Sequence, residues 1–277
     1  MTRWQLAHGQ HLDLGAKALL MGILNVTPDS FSDGGEFDSL DRAIAHARQM
    51  MSDGAAIIDV GGESTRPGAE PVAAREEQSR ILPVIEALSA DSGCLISVDT
   101  YRAETARLAV AAGAHIVNDV HGLQREPDIA RVAADTGAGL VIMHTGRDRE
   151  KKPDVIADQF FFLERSLQIA REAGVADDQI VLDPGFGFAK DGEENLQLIA
   201  RFGELSPLGF PLLVGTSRKR LIGHVSGGDK EARDVGTAAT SVILRQKGAD
   251  IFRVHNVPFN RDALAFADAI IKRETVK

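Results

Sequence analysis

Polar residues recur in this sequence directly after short apolar runs, and their side chains are of the types that bind ligands, protons or metal ions. Except for the last two, successive members of the series stand about 20 to 40 residues apart, the length of one strand followed by one helix. A lone Asp or Asn in such a place is most simply a helix cap or a turn residue, but a whole series in phase indicates one shared site. The series consists of Asn25, Asp59, Asp99, Asn118, His144, Asp183, Lys219, Arg253 and His255.

The last apolar run carries two side chains that can be cationic. Arg253 and His255 are two positions apart, so on a strand they point to the same side. Residues 215–219, Gly-Thr-Ser-Arg-Lys, add hydroxyl groups and a lysine just after the preceding run. Donors of this kind suit an anionic group such as phosphate or diphosphate. The alternative for residues 218–220 is an ordinary solvent-exposed charge run.

Asp99, Asn118 and Asp183 contribute acceptors and an amide to the same series. A buried carboxylate is unfavourable unless it is paired, so each needs a cationic neighbour, a metal ion or a ligand with N–H donors. A flat heterocycle with adjacent ring N–H and amine donors would allow a bidentate contact. These residues therefore favour a nitrogen-rich ring over a sugar phosphate as the ligand.

Two connecting segments are long and combine glycines with hydroxyl, carboxylate and one large or cationic side chain. Residues 27–35 follow the first apolar run and include Phe31, and residues 61–68 follow the second and include Arg66. Such a composition is typical of loops that order over a substrate. Simple tight turns at Pro28-Asp29 and at Gly61-Gly62 are the alternative reading.

Eight apolar runs, each followed by a stretch of helical periodicity such as Arg75–Leu88 or Thr237–Lys247, must position these residues. Strands that alternate with helices imply a parallel sheet, and eight units in one uninterrupted chain favour a single (β/α)8 TIM barrel, with the polar series at its C-terminal rim. Residues 1–14 are expected to form a short hairpin that caps the barrel of residues 15–277. The predicted strands are Leu19–Val26, Ala56–Val60, Leu95–Asp99, His115–Asp119, Leu140–Met143, Ile180–Asp183, Leu212–Val214 and Ile251–Val254.

The composition excludes several classes of function. The 277 residues include 31 Lys and Arg against 40 Asp and Glu, a formal net charge of −9, which argues against a surface for nucleic acid or anionic membranes. One cysteine rules out an intrachain disulfide framework. With no signal-peptide pattern and no apolar stretch long enough to cross a bilayer, we expect a cytoplasmic protein.

The same segments closely resemble the signature blocks of the bacterial dihydropteroate synthase family, the targets of sulfonamides. The resemblance extends in order along most of the chain. The matching segments are residues 22–35, 58–68, 97–100, 182–188, 217–219 and 253–255.

The resemblance implies a transferase of folate biosynthesis. Members of this family condense 6-hydroxymethyl-7,8-dihydropterin diphosphate with p-aminobenzoate, giving 7,8-dihydropteroate and diphosphate. The C–O bond is thought to break first, leaving a pterin cation that Asp99 would stabilise electrostatically. The resemblance also implies Mg²⁺ as cofactor, small-molecule partners only, and a homodimer formed through helices late in the barrel.

The family's functional residues carry over by matching position. The pterin would be held by Asp99, Asn118, Asp183 and Lys219. The diphosphate would be held by Asn25, Arg253 and His255, with Asn25 acting through Mg²⁺. The p-aminobenzoate pocket would be built by Phe31, Asp33, Thr65, Arg66 and Pro67. The catalytic residues implied are Asp99, Asp33 and Lys219.

The chain departs from the family pattern at Thr145-Gly146, at Ala189 in place of a more usual glycine, at Arg220 and at Asn256. None of these changes removes a reacting group. Two alternatives remain from the sequence, a methyltetrahydrofolate:corrinoid methyltransferase and a non-catalytic pterin-binding paralogue. The first would have no diphosphate to bind, and the second would be expected to lose loop residues or diphosphate-binding cations.

Overall fold

The described part of the chain forms one short hairpin and one eight-stranded parallel sheet. The computed structural model describes residues 2–27, 36–64, 70–91, 93–226 and 228–274. Strands β1 (Thr2–Gln5) and β2 (His11–Leu14) form the antiparallel hairpin. The parallel strands are β3 (Leu19–Asn25), β4 (Ile57–Gly61), β5 (Leu95–Asp99), β6 (Ile116–Asp119), β7 (Gly139–Met143), β8 (Ile180–Asp183), β9 (Leu213–Val214) and β10 (Ile251–Val254).

The parallel sheet closes on itself. Strands β3 to β8 pair in sequence order, and β3 pairs with β10, which pairs with β9. A parallel bridge between Leu182 and Leu212 joins β8 to β9, and the Leu182 amide donates to Pro211 O at 3.0 Å. The predicted (β/α)8 barrel with its N-terminal hairpin is confirmed, and each strand end lies within one residue of its predicted position.

Helices surround this barrel, and none within the described ranges is long and apolar enough to cross a membrane. The predicted helix at 237–247 begins earlier, at Lys230, because Asp229 caps it by accepting from the Ala232 amide at 2.7 Å. The helices are α1 (Glu36–Ser52), α2 (Ala74–Ser89), α3 (Ala103–Ala111), α4 (Asp128–Thr136), α5 (Val155–Glu172), α6 (Gly192–Ala200), α7 (Arg220–Ser226), α8 (Lys230–Gln246) and α9 (Val257–Glu274).

The lower part of the barrel is filled by one apolar layer, and the hairpin packs beneath it. Trp4 of β1 is 1% exposed and its indole Nε1 donates to Gln179 O at 2.7 Å. The hairpin thus covers the N-terminal end of the barrel, although the domain boundary after residue 14 stays a prediction. The layer contains Met21, Ile57, Ile116, Val141, Val181, Leu213 and Ile251.

Two residues further along the strands, the inward positions become polar. Successive side chains on a strand alternate between faces, so a residue two positions past the apolar layer points inward again. On β4 this step leads from Ile57 to Asp59, and on β10 it leads from Ile251 to Arg253. The same step on β6 and β8 reaches Asn118 and Asp183. The apolar layer therefore supports a polar layer that faces the C-terminal mouth.

Replacing Trp4 tests the contribution of the hairpin. Trp4→Ala is expected to lower the free energy of unfolding by about 3–5 kcal/mol, because it leaves a cavity beneath the apolar layer. Trp4→Phe keeps an aromatic ring but leaves Gln179 O without its donor, for a smaller loss of about 1–3 kcal/mol. Urea unfolding followed by circular dichroism measures both. A Trp4→Ala variant within about 1 kcal/mol of the wild type would show that the hairpin packs without stabilising the barrel.

Candidate active site

An ion-pair network across the barrel interior forms the floor of the mouth. Arg253 Nε donates to Asp59 Oδ2 at 2.6 Å, and its Nη2 donates to Asp99 Oδ2 at 2.7 Å. Asn118 Nδ2 donates to the same Asp59 oxygen at 3.2 Å. Four side chains from β4, β5, β6 and β10 are thereby joined. The sequence placed Asp59 in the polar series but assigned it no role, and the structure shows that it joins Arg253 to Asn118.

The electrostatics of this network keep the arginine charged. Burial acts to lower the pKa of Arg253, but the carboxylates of Asp59 and Asp99 outweigh it and raise that pKa. Burial raises the pKa of the Asp99 carboxyl, and the guanidinium of Arg253 opposes this shift. The Asp99 carboxyl is thus held at the mouth by a permanent cation.

Three polar atoms of this floor have no hydrogen-bond partner among the described residues. They are Asp59 Oδ1, Ser97 Oγ and Asn118 Oδ1, and all three residues are at most 2% exposed. Leaving a buried polar group unpaired costs about 1–3 kcal/mol. Such groups are uncommon in folded proteins, so three of them in one layer mark a surface made to meet a ligand or ordered water.

Asp183 and Lys219 lie beside this floor. Asp183 Oδ1 accepts from the Gly185 amide at 2.7 Å, and Lys219 Nζ donates to Phe186 O at 2.7 Å. Burial raises the pKa of Asp183, against the opposing charge of Lys219. Burial lowers the pKa of Lys219 to about 8, against the attraction of Asp183. The Lys219 ammonium also lies 4.6 Å from the centre of the Phe188 ring, a cation–π contact.

His255 and Ser217 form a second pair above Arg253. Ser217 Oγ accepts from the His255 amide at 3.1 Å, so its own proton can be donated to His255 Nδ1 at 2.9 Å. Arg218 turns away from the mouth and pairs with Asp234 of α8 at 2.6 Å. The charge run at 218–220 is therefore divided, with Lys219 directed into the mouth and Arg218 bound to a helix.

His144 is the exception in the polar series, because the predicted convergence on the rim is wrong for this residue. Met143 occupies the inward position at the end of β7, so the next side chain points outward towards α5. His144 Nε2 donates to Asp158 Oδ2 at 3.0 Å, and its Nδ1 accepts from Lys190 Nζ at 2.9 Å. Burial and the charge of Lys190 lower the pKa of His144 to about 4, so it is neutral.

Lys190 is a buried residue that the sequence did not single out. Its Nζ also donates to Gly185 O at 2.9 Å, and burial lowers its pKa to about 7, against the attraction of Asp183. A lysine in a loop is normally exposed, so its residue type gave no indication that Lys190 would be buried. A partial clue is the departure at Ala189, whose φ of +52° is a conformation that favours glycine.

Arg102 anchors both sides of the second long loop. Its Nη1 donates to Glu63 Oε2 at 2.8 Å and to Glu77 Oε2 at 2.9 Å, and its Nη2 donates to Val72 O at 2.6 Å. The predicted loop residues themselves lie outside the described residues. These are Phe31, Asp33, Thr65, Arg66 and Pro67.

Asn25 ends β3 beside the mouth. The strand register places it next to Gly61, which lies next to Asp99. Its side chain makes no hydrogen bond with any residue in the described ranges, and it is half-buried. An amide oxygen is therefore available at the edge of the network.

The assembled mouth has acceptors on its floor and cations at its side. Asp99, Asn118 and Asp183 can accept from the N–H groups of a planar ring. Lys219 and Arg253 supply positive charge within the same layer, which suits an anionic group attached to that ring. The structure thus brings together the ring-binding and cationic residues that the sequence predicts.

Comparison with known proteins agrees with this geometry. Residues 21–255 match the family model described as pterin binding enzyme. The chain is 50% identical over 257 residues to a dihydropteroate synthase of Bacillus subtilis, covering 93% of this chain and 90% of the relative.

Solved structures give the same result. One is a dihydropteroate synthase from Clostridium difficile in the presence of pteroic acid, with 46% identity, a TM-score of 0.91, and coverage of 94% of this chain and 98% of the other. Another is the Xanthomonas albilineans enzyme with 4-aminobenzoic acid, with 42% identity, a TM-score of 0.90, and coverage of 97% and 98%. With a family model spanning most of its length and relatives this similar, the chain belongs to the pterin-binding enzymes, among the dihydropteroate synthases.

Proposed function

We propose that the barrel mouth of this chain transfers a pterin-methyl group from 6-hydroxymethyl-7,8-dihydropterin diphosphate to p-aminobenzoate, giving 7,8-dihydropteroate and diphosphate. One observation carries the proposal. The hydrogen bonds of Arg253 to Asp59 and Asp99 bring acceptors for a ring and cationic side chains together in one buried layer. A corrinoid methyltransferase would bind no diphosphate and would not need these cations, and the similar relatives are dihydropteroate synthases.

The residues divide by the part of the substrate that they would contact. Asp183, Asn118 and Asp99 would accept from ring and amine N–H groups of the pterin, and Lys219 would donate to it. Arg253 and His255 would face the diphosphate. Two carboxylates fix the position of the Arg253 guanidinium. It would therefore present its positive charge to the anion without reorienting on binding.

The reaction forms a cation on the pterin and a diphosphate anion, and the site has groups that would stabilise each of them. The methylene C–O bond breaks with its electron pair leaving on the diphosphate, and the ring is left as a cation. The p-aminobenzoate amine then attacks the methylene carbon and releases a proton. Asp99 would stabilise the cation, while Arg253 and His255 would stabilise the departing diphosphate.

Mg²⁺ is the proposed cofactor, with Asn25 as the protein ligand. The described residues contain no group of three or more His, Cys, Asp or Glu side chains that could enclose a metal ion. Mg²⁺ bound to phosphates usually keeps several waters and needs only one or two protein ligands, so a single amide oxygen fits it. The ion would neutralise charge on the leaving diphosphate.

The p-aminobenzoate pocket is proposed partly on described residues and partly on predicted ones. Phe188 is 7% exposed and has Lys219 over its ring, with the Arg147 guanidinium also 4.6 Å from the ring centre. This gives an aromatic wall next to the pterin-binding residues. The remaining walls, Phe31, Asp33, Thr65, Arg66 and Pro67, stay predictions from the sequence, as does the catalytic role of Asp33.

An activity assay tests the proposed function directly. Purified protein is incubated with the pterin diphosphate, labelled p-aminobenzoate and Mg²⁺, and labelled pteroate is expected. Asp99→Asn should lower kcat about 10²-fold, as is typical when an electrostatic stabiliser is removed. Chelation of Mg²⁺ should abolish turnover, and added Mg²⁺ should restore it.

The control for this assay is a related synthase of known activity under the same conditions. Absence of pteroate from the wild-type protein beside an active control would refute the function and support the non-catalytic alternative. An Asp99→Asn variant within threefold of wild-type kcat would refute the role of Asp99 alone.

The pKa of Lys219 predicts how kcat/KM should depend on pH. Its pKa of about 8 means that the ammonium is lost as the pH rises above that value. If the charged form binds the substrate, kcat/KM for the pterin diphosphate should fall above pH 8. Lys219→Arg keeps its charge in this range, so its profile should lack that fall whatever its absolute rate. The same fall in both proteins, with circular dichroism showing them folded, would assign the titration to another group.

A homodimer is proposed from the exposed surface of the last helices. Phe259, Phe266 and Ile270 are 45%, 73% and 39% exposed and lie along one side of α9. Val235 and Ile243 of the adjacent α8 are 58% and 41% exposed. Several exposed apolar side chains on two adjacent helices are typical of a protein interface. A second copy of the chain is the proposed partner, and the cytoplasmic location stays a prediction from the sequence.

The dimer is tested by placing a charge at the centre of this surface. Phe266→Glu is expected to convert a dimer into a monomer in sedimentation velocity, because a carboxylate in an apolar interface is strongly unfavourable. Phe161→Glu is the matched control, since Phe161 is 51% exposed on α5, on a different helix. A wild-type monomer, or equal dissociation in both variants, would contradict an α8–α9 interface.

A further inference from the structure

One oxygen of Asp59 serves two donors that the proposed function assigns to different parts of the substrate. Oδ2 accepts from Arg253 Nε at 2.6 Å and from Asn118 Nδ2 at 3.2 Å. Arg253 would face the diphosphate, and Asn118 would face the pterin. Asp59 itself is fully buried in the floor of the mouth. Through Oδ2 it would therefore act on the substrate by way of these two neighbours.

The chemistry of a carboxylate fixes which way the Asn118 amide is turned. An ionised carboxylate can only accept hydrogen bonds, so the Asn118 group that faces it must be the NH₂ group. The contact with Arg253 is an ion pair, which keeps Asp59 in that acceptor role. With Nδ2 committed to Asp59, the amide oxygen is the end left for a ligand. Asn118 Oδ1 has no partner among the described residues although it is buried.

Ser97 makes this arrangement possible. It is the inward residue of β5, the strand between β4 and β6, and its register partner on β4 is Asp59. A small side chain at this position lets Asp59 and Asn118 meet across the intervening strand. Ser97 Oγ is also unpartnered among the described residues. A serine at 97 thus leaves room for the hydrogen bond between Asp59 and Asn118.

We propose that Asp59 is a positioning residue that orients the Asn118 amide so that its oxygen accepts from a ring N–H of the pterin. This inference rests on the proposed function and specifies how the site selects its ring. A ring that presents an acceptor at this point would face the Asn118 oxygen and leave both groups unpaired. Such mismatches give strong discrimination in sites built to hydrogen-bond a substrate.

Removing the acceptor at position 59 tests the proposal. Asp59→Leu has a similar volume but no acceptor, so Arg253 and Asn118 both lose their hydrogen bond to position 59. The Asn118 amide can then turn over and present NH₂ to the ligand. Binding of the pterin diphosphate is expected to weaken about 10- to 100-fold. Asn118→Asp alone should also weaken binding, because two carboxylates then face each other.

The double variant D59L/N118D removes the need for orientation. Both oxygens of a carboxylate accept hydrogen bonds, so a carboxylate at position 118 presents an acceptor to the ring whichever way it is turned. We expect this variant to bind at least about tenfold more tightly than D59L alone, a coupling that independent sites do not show. Calorimetry with the pterin diphosphate, in the absence of p-aminobenzoate, measures Kd for each protein. In turnover, the single variants should raise KM for the pterin diphosphate more than they lower kcat.

Asp119→Asn provides a matched control for loss of a buried carboxylate. Asp119 follows Asn118 and points to the other face of β6. Within the described part of the chain it accepts only from the amides of His121 and Leu123, at 2.8 and 2.6 Å. Its Kd for the pterin diphosphate should stay within about twofold of wild type, since its contacts leave Asn118 unchanged.

The outcomes separate this inference from the proposed function. If the wild-type protein does not bind the pterin diphosphate, the proposed function fails. If it binds, but the losses in the two single variants simply add in the double variant, the positioning role of Asp59 is overturned.

Neutron crystallography of the wild-type protein with bound pterin provides a test that does not depend on the folding of any variant. Amide deuterons of Asn118 directed at Asp59 support the proposal, and deuterons directed at the ring overturn it.

Discussion

The ion pair between Arg253 and the carboxylates of Asp59 and Asp99 is the interaction on which the rest of this site depends. It lies inside a closed barrel, where an unpaired charge would be very costly and a paired one needs good geometry. The barrel supplies that geometry because β4, β5 and β10 are fixed relative to one another by parallel hydrogen bonding through β3. A closed sheet cannot splay, so the three side chains stay within hydrogen-bond distance without help from a ligand.

This constraint explains why the fold could be predicted so closely from the sequence and the site only in part. Strand positions follow from apolar runs that must be buried on both faces, and the two-residue repeat then determines which residues face inward. Asp59, Asn118, Asp183 and Arg253 obey that repeat. His144 was misplaced because it stands three positions past Val141 of the apolar layer rather than two, and a one-residue difference moves a side chain to the opposite face.

Other parts of the site depend on contacts between distant segments, which no local pattern encodes. Lys190 is buried because the turn after Asp183 folds against the end of β7, where the Cβ of any residue replacing Gly185 would lie 1.9 Å from His144 O. Arg102 holds Glu63 and Val72 together from the next βα unit. Residue types and spacing identified the ring-binding and cationic groups, but the partners that fix those groups emerge only when the chain closes on itself.

The polar floor also shows what a binding site requires of a stable fold. An interior selected only for stability would pair every buried polar atom or replace it with a methyl group. Here Asp59 Oδ1, Ser97 Oγ and Asn118 Oδ1 are unpaired within the described structure, directly above a complete apolar layer. The apolar layer and the hairpin beneath it offset this destabilisation. The lower half of the barrel therefore provides stability, and that stability lets the upper half keep acceptors that only a ligand or ordered water satisfies.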